Sequence, residues 1–252
     1  MRRLIRLILF LVLLVGAWQL ICHFEVWPPY LLPKPSEVAG SLLDGMRDRS
    51  IPIAVRSSLV RLGIGFGLSI LVGGPLGILL ALSRLLRDTL GTLVLGFQSL
   101  PSICWFPLAL LWFGLSEKSV VFVAFMGSVL SIAVTVEAGI RTIPPQYLRV
   151  ARNLGAKGPR LLAGVILPAA LPSFVAGTKL GWSFAWRSLL AGELLFAGPG
   201  LGFLLTMGRE LNDMARVIGI MLVVMVIGVA VDRLVFAPLE RKLMRAWGLG
   251  RA

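Results

Sequence analysis

Two stretches of this chain, residues 62–82 and 89–115, contain no charged side chain at all. Runs of that length match the roughly 20 residues a helix needs to cross the hydrocarbon of a bilayer. Inside hydrocarbon the backbone must satisfy its own hydrogen bonds, which a helix does within one segment. The rest of the chain agrees: 57% of the 252 residues are hydrophobic and the mean hydropathy is +0.90, too apolar for a soluble domain. Six candidate spans follow, at about 4–22, 62–82, 89–115, 119–139, 169–195 and 216–237. The expectation is an all-α, polytopic membrane protein of about six transmembrane helices, forming one domain over residues 1–252.

The first span follows Arg2 and Arg3 and carries Arg6 near its start, where a long side chain reaches the headgroups. A basic start before an apolar run also fits a signal peptide. The absence of a small-x-small cleavage site before His23 favours a retained helix.

The net charge of +13 raises nucleic-acid binding as a possibility, but the cations are scattered over short loops between apolar runs and are not gathered on a soluble face. Membrane topology accounts for them better. With the N-terminus inside, Arg2, Arg3, Arg6, Arg84 and Arg87 fall on the cytoplasmic side, together with Arg233, Arg241, Lys242, Arg245, Arg251 and the loop described next. The outer cations are fewer and are nearly balanced by acids, so the positive-inside rule places both termini in the cytoplasm.

The loop in question, 141–168, holds Arg141, Arg149, Arg152, Lys157 and Arg160 and no acidic residue. Pro144 and Pro145 open a short helix, on which Tyr147, Ala151 and Leu154 recur at helical spacing. Gly155 supplies a residue able to take positive φ at the helix end. Gly158 and Pro159 turn the chain into a return helix that Pro168 and Pro172 should stop. The product is a stiff, exposed lever on the cytoplasmic face, joined to the fifth span and suited to transmitting a push from a soluble partner.

Two further non-membrane pieces stand out. After Pro28, Pro29, Pro33 and Pro35, Ser36 is placed to cap an amphipathic helix carrying Val38, Leu42, Leu43 and Met46, lying along the outer surface. Gly198, Pro199, Gly200 and Gly202 mark a turn before a short helix that either connects two spans or closes an outer mouth.

The spacing Ala151, Gly155, Val165, Leu167, Pro168 resembles the EAA loop (Glu-Ala-Ala-x3-Gly-x9-Ile-x-Leu-Pro) of permease subunits of ATP-binding-cassette importers. Arg149 stands where that pattern has glutamate, Val150 replaces the first alanine and Val165 the isoleucine. Outside the loop, LPKPSEV at 32–38, LPSICWFPLALLWFGLSEKS at 100–119, AGELLFAGPGLGFLL at 191–205 and PLERKLMRAWG at 238–248 are similar to the nitrate, sulfonate, taurine and bicarbonate group of these permeases.

The resemblance implies a type I importer fold with a cytoplasmic coupling helix in a bacterial inner membrane. The coupling residues it implies are Tyr147, Leu148, Ala151, Arg152, Leu154, Gly155, Ala156, Leu167 and Pro168. It also implies a second permease copy in a homodimer, two ABC ATPase subunits carrying ATP and Mg, an extracytoplasmic binding protein, and no cofactor on this chain. In keeping with that, the sequence has no Gly-x4-Gly-Lys-Ser/Thr phosphate loop. The solute implied is a small anion; a neutral or cationic solute such as a pyrimidine vitamin precursor is the alternative.

Ionisable groups inside spans face protein or water, which singles out Arg187 and Glu193 in the fifth span. Arg187, with Ser183 one turn away, is placed to attract an anionic solute, and Glu193 to hold an outer gate; structural ion pairs between helices are the competing reading. Lys179 reads as snorkelling or loop-facing, and Trp105, Trp112, Trp182 and Trp186 as cavity lining or packing. An enzyme needs clustered nucleophiles, metal ligands or paired carboxylates, and one histidine with two separated cysteines offers neither these nor a disulfide framework. A secondary transporter needs midplane coupling residues in several spans and often an internal repeat; neither is evident.

Overall fold

The computed structural model describes residues 2–247, and Arg251, counted above among the inward cations, lies outside them. In chain order the helices are α1 (Arg2–His23), α2 (Pro35–Arg47), α3 (Ser50–Leu82), α4 (Arg84–Gln98), α5 (Ser102–Phe113), α6 (Glu117–Arg141), α7 (Pro145–Asn153), α8 (Gly158–Leu195), α9 (Leu201–Glu210) and α10 (Met214–Arg245). No strand occurs among the described residues.

Four helices, α3, α6, α8 and α10, are long and apolar enough to cross a membrane, and α4 with α5 makes a fifth candidate bent by 103°. Two of the expected spans stand apart from these four. The first, 4–22, is covered by α1, one helix of 22 residues. Residues 89–115 are broken at Pro101, which has no N–H and takes an extended conformation (φ −54°, ψ 132°). Such a residue also disfavours a helical Leu100 before it. Ser99 and Leu100 close the last turn of α4 on Gly96 and Phe97.

The return helix does not stop at Pro168 and Pro172. It runs unbroken from Gly158 to Leu195 because Leu162–Ile166 form a wide π turn, in which the Leu167 N–H reaches back to the Leu162 carbonyl. Widening the turn just before Pro168 makes room for a residue with no donor and a bulky ring. A similar turn over Asp232–Phe236 carries α10 past Pro238, well beyond the expected end at 237. The amphipathic helix forms but begins two residues earlier than a Ser36 cap implies. Pro35 occupies its first turn and the Glu37 carboxylate, in place of Ser36, accepts from the Lys34 N–H at 2.9 Å.

Contacts group the chain into two units, residues up to Ser58 with Glu193–Val226, and Leu59–Gly192 with the residues from Ile227 on. In the first, the Trp18 indole donates to the Pro33 carbonyl at 3.1 Å, fixing the proline-rich turn against α1. Gly219 on α10 gives Leu42 of α2 room to pack.

In the second unit α6 is the central element. Its apolar stretch is more than half buried, although no soluble-type hydrophobic force drives helices together in lipid. Close packing does. Gly65, Ser69, Gly73 and Gly77 of α3 are buried at a four-residue spacing against α6. A Cβ on Gly65 or Gly73 falls 2.9 or 2.6 Å from the Val121 or Val129 carbonyl oxygen. Ser69 fits the same stripe by hydrogen bonding: its hydroxyl donates to Phe125 O at 3.0 Å and is itself met by Ser128 Oγ at 2.6 Å. On α8, Gly177 and Gly181 fit against Thr135 and Ile132 of α6 in the same way.

Candidate coupling lever and transport cavity

The segment after α6 folds as a lever for reasons visible residue by residue. Pro145 starts α7, and Gly155 ends it at φ +85°, a conformation open to glycine at little cost. The Gly155 N–H donates to Arg152 O at 3.0 Å and the Ala156 N–H to Ala151 O at 2.9 Å. These two bonds are the Schellman closure, in which the glycine must stand four residues after the residue whose carbonyl is capped. The Ala151-x3-Gly155 spacing therefore has a geometric cause.

The faces of α7 divide differently from the expectation that Tyr147, Ala151 and Leu154 act together. Ala151 turns inward, and Leu148 packs with Ile143, Ile140, Leu161 and Ile166 into the core beneath α6 and α8. Tyr147, Val150 and Leu154 face outward, Leu154 at 83% exposure. At about 100° per residue Ala151 falls between Tyr147 and the anchored Leu148, while Val150 and Leu154 fall on the far side of Tyr147. Arg149 and Arg152 are exposed, Ala156 is half-buried, and Leu167 and Pro168 sit exposed at the top of α8 just past the π turn. The helix thus offers a short apolar ridge flanked by cations, rooted in the unit by Leu148.

Arg187 lies in a different place. It lines a cavity of about 480 Å³ at the α4–α5 bend, together with Gln98, Ser99, Ser102, Trp105, Ser131 and Phe184. Its Nε donates to the Ser183 carbonyl at 3.0 Å and its guanidinium carbon stands 5.1 Å from the Phe184 ring centroid. The Ser183 hydroxyl turns back to Lys179 O at 3.3 Å, so Ser183 orients Arg187 through its backbone and does not line the cavity. Of the four tryptophans singled out in the sequence only Trp105 lines it; Trp182 and Trp186 stack with ring centroids 6.4 Å apart, and Trp112 packs edge-on to Phe122.

Glu193 is fully buried and serves α9. The Ser58 hydroxyl donates to the carboxylate at 2.7 Å, and the Gly202 N–H donates to Oε2 at 3.0 Å. The Leu201 N–H donates in turn to Ser58 Oγ at 2.9 Å. The carboxylate thus meets one otherwise orphaned N–H directly and the positive end of the helix dipole, while the Ser58 hydroxyl that it holds meets a second. Gly200 is required there, since a Cβ at that position falls 2.6 Å from the carboxylate carbon. The glycine cluster 198–202 is thus shaped around Glu193, a link that sequence spacing alone did not disclose.

Lys179, read above as snorkelling, instead bridges α8 to α10, 3.0 Å from Asp232 and 3.2 Å from Glu240. Arg61 of α3 and Glu117 at the start of α6 pair at 2.7 Å. At the α2–α3 junction Arg49 takes φ +62°, and Asp48 accepts the Ser50 N–H at 2.8 Å. That bond and the Ser50 hydroxyl, with a smaller contribution from the Arg216 charge, hold the Asp48 carboxyl below its ordinary range.

An all-helical fold with apolar spans, an exposed apolar-ridged helix and a cation-bearing cavity fits a membrane transport subunit. Residues 73–243 match the family described as the binding-protein-dependent transport system inner membrane component, and the chain belongs to that family of ABC importer permeases. It is similar to the taurine transport system permease protein TauC of Escherichia coli, 30% identical over 79% of this chain and 74% of that protein. The nitrate import permease protein NrtB of Synechocystis sp. is 27% identical over 88% of this chain and 83% of that protein. The fold is shared with a chain of the MetNI methionine ABC transporter, at TM-score 0.65 and 20% identity, covering 77% of this chain and 97% of that one.

Proposed function

We propose that this chain is the translocation subunit of an ATP-driven importer that carries a small anion, of the taurine, sulfonate or nitrate kind, into the cytoplasm by alternating access. Two copies form the membrane pathway. An extracytoplasmic binding protein delivers the solute, and two separate ATPase subunits, holding ATP and Mg, grip α7 from the cytoplasm. The basic loop and both termini face the cytoplasm, as the charge asymmetry favours. The observation that carries this reading is α7 itself: a rigid helix with Tyr147, Val150 and Leu154 exposed and Leu148 anchored in the core, so that a push on the ridge moves α6 and α8. The names of the taurine and nitrate relatives support an anion, as does the cation of the cavity.

The test is coupling. Leu154→Asp removes the end of the ridge at an exposed position, where substitutions shift stability by about 0.5 kcal/mol or less. Gly155→Val forces a β-branched residue into positive φ. In proteoliposomes with the ATPase and binding protein, both variants should assemble yet lose binding-protein-stimulated ATP hydrolysis and uptake together. Wild-type hydrolysis and uptake in both would remove α7 from the mechanism.

A further inference from the structure

The cavity at the α4–α5 bend is more specific than a path for any anion needs to be. Its volume, about 480 Å³, is in the range of sites that enclose whole organic molecules and far exceeds a single-centre inorganic oxyanion. Its walls are mostly apolar, with Phe97, Leu100, Trp105, Met126 and Leu130 among them. Phe97 and Trp105 meet edge to face across the bend, ring centroids 5.6 Å apart, presenting a fixed aromatic corner. Against these stand one cation and a few neutral hydrogen-bonding groups: Arg187, Gln98, Ser99, Ser102 and Ser131.

The depth of the cavity sharpens its chemistry. Ser131 stands fourteen residues from one end of α6 and ten from the other, or about 21 and 15 Å at 1.5 Å per residue. That places it near the middle of the span. A guanidinium within a span costs at least about 2.5–3.5 kcal/mol near a helix centre unless it faces water or an anion; Arg187 is exposed at the cavity, and no carboxylate among the described residues lies within ion-pair distance of it. Its Nε is occupied by Ser183 O and its plane is held near Phe184, so the terminal amino groups are pre-oriented donors. Such a fork suits the paired oxygens of a sulfonate or carboxylate.

Resting on the importer reading above, we propose that this cavity is a translocation subsite for an organic anion, a sulfonate or carboxylate borne on an apolar body. Arg187 holds the anionic head, and Phe97, Trp105, Met126 and Leu130 enclose the body. The bend at Pro101 is what creates the space, since a straight helix through 89–115 would close it. Inorganic anions such as nitrate would meet the head site but leave the apolar walls wet, and so bind weakly.

The experiment is equilibrium dialysis of benzenesulfonate against the detergent-solubilised permease assembled with its ATPase subunits. Saturable binding is expected, weakened at least tenfold by Arg187→Ala and less by Arg187→Lys. Leu100→Trp fills the cavity from an exposed position while leaving the charge intact, and should also reduce binding at least tenfold. Nitrate at equal concentration should not displace the probe. Absence of saturable binding, unchanged binding in Arg187→Ala or Leu100→Trp, or equal competition by nitrate would overturn the assignment. Binding-protein-dependent ATP hydrolysis in the same complex is read separately. If hydrolysis is stimulated while benzenesulfonate binding fails these criteria, the cavity assignment falls and the importer reading stands; if no stimulation occurs, both fall.

Discussion

Replacing Gly73 with alanine tests the packing that holds α3 on α6. The added methyl would stand 2.6 Å from the Val129 carbonyl oxygen and 3.2 Å from Ile132 Cβ, and the first of these is backbone that cannot swing aside. Overpacking of this kind costs about 1–3 kcal/mol, opposed by the gain of about 1 kcal/mol when alanine replaces glycine inside a helix. Gly67, on the same helix, has nothing within 4 Å of its added Cβ, so the same substitution there keeps the propensity gain alone. The difference between Gly73→Ala and Gly67→Ala therefore isolates the contact, and should be about 1–3 kcal/mol. Equilibrium unfolding of the two variants in mixed micelles measures it. A difference below about 0.5 kcal/mol, the ordinary scatter of independent sites, would refute the claim that close glycine packing sets this interface.

Glu193→Ala should destabilise the protein by about 1.5–3 kcal/mol or more, the scale of one lost charge-assisted hydrogen bond, with Glu193→Gln milder because it still accepts; thermal unfolding ranks the two. Gly200→Ala should resemble Glu193→Ala in unfolding, since its methyl displaces the same carboxylate. Asp48 is an acid whose folded pKa is depressed, so its contribution is complete above the ordinary carboxylate pKa of about 3.9 and lost as pH falls through the lowered value. Asp48→Asn should therefore flatten the acid limb of a stability profile and leave its slope near neutral pH unchanged.

Much of this protein was readable in its sequence because the relevant physics is local. Long uncharged apolar runs allow only helices in hydrocarbon, and the amphipathic pattern after Pro35 is realised as α2. The positive φ of Gly155 follows from a glycine at the end of a short helix. The spacing of Ala151, Gly155, Leu167 and Pro168 pointed to the permease family before any fold was known. Proline was less legible. Pro101 breaks its span while Pro168 does not, because a wide turn at Leu162–Ile166 relieves it, and such a turn has no sequence signature of its own; Pro172 is carried inside regular α-helix.

Tertiary structure alone decided which residues far apart in the chain meet. Ser58, Glu193 and Gly200 converge on the start of α9, and Lys179 finds Asp232 and Glu240 across two helices. Arg187 is left facing a cavity lined by Trp105 and Ser131, with Ser183 holding it only through a backbone carbonyl and Glu193 committed to α9. The reason is the range of the forces. Hydropathy and capping act within a turn or two of helix, whereas close packing and buried hydrogen bonds depend on which helix faces meet, and periodicity along one helix does not name the partner on the next.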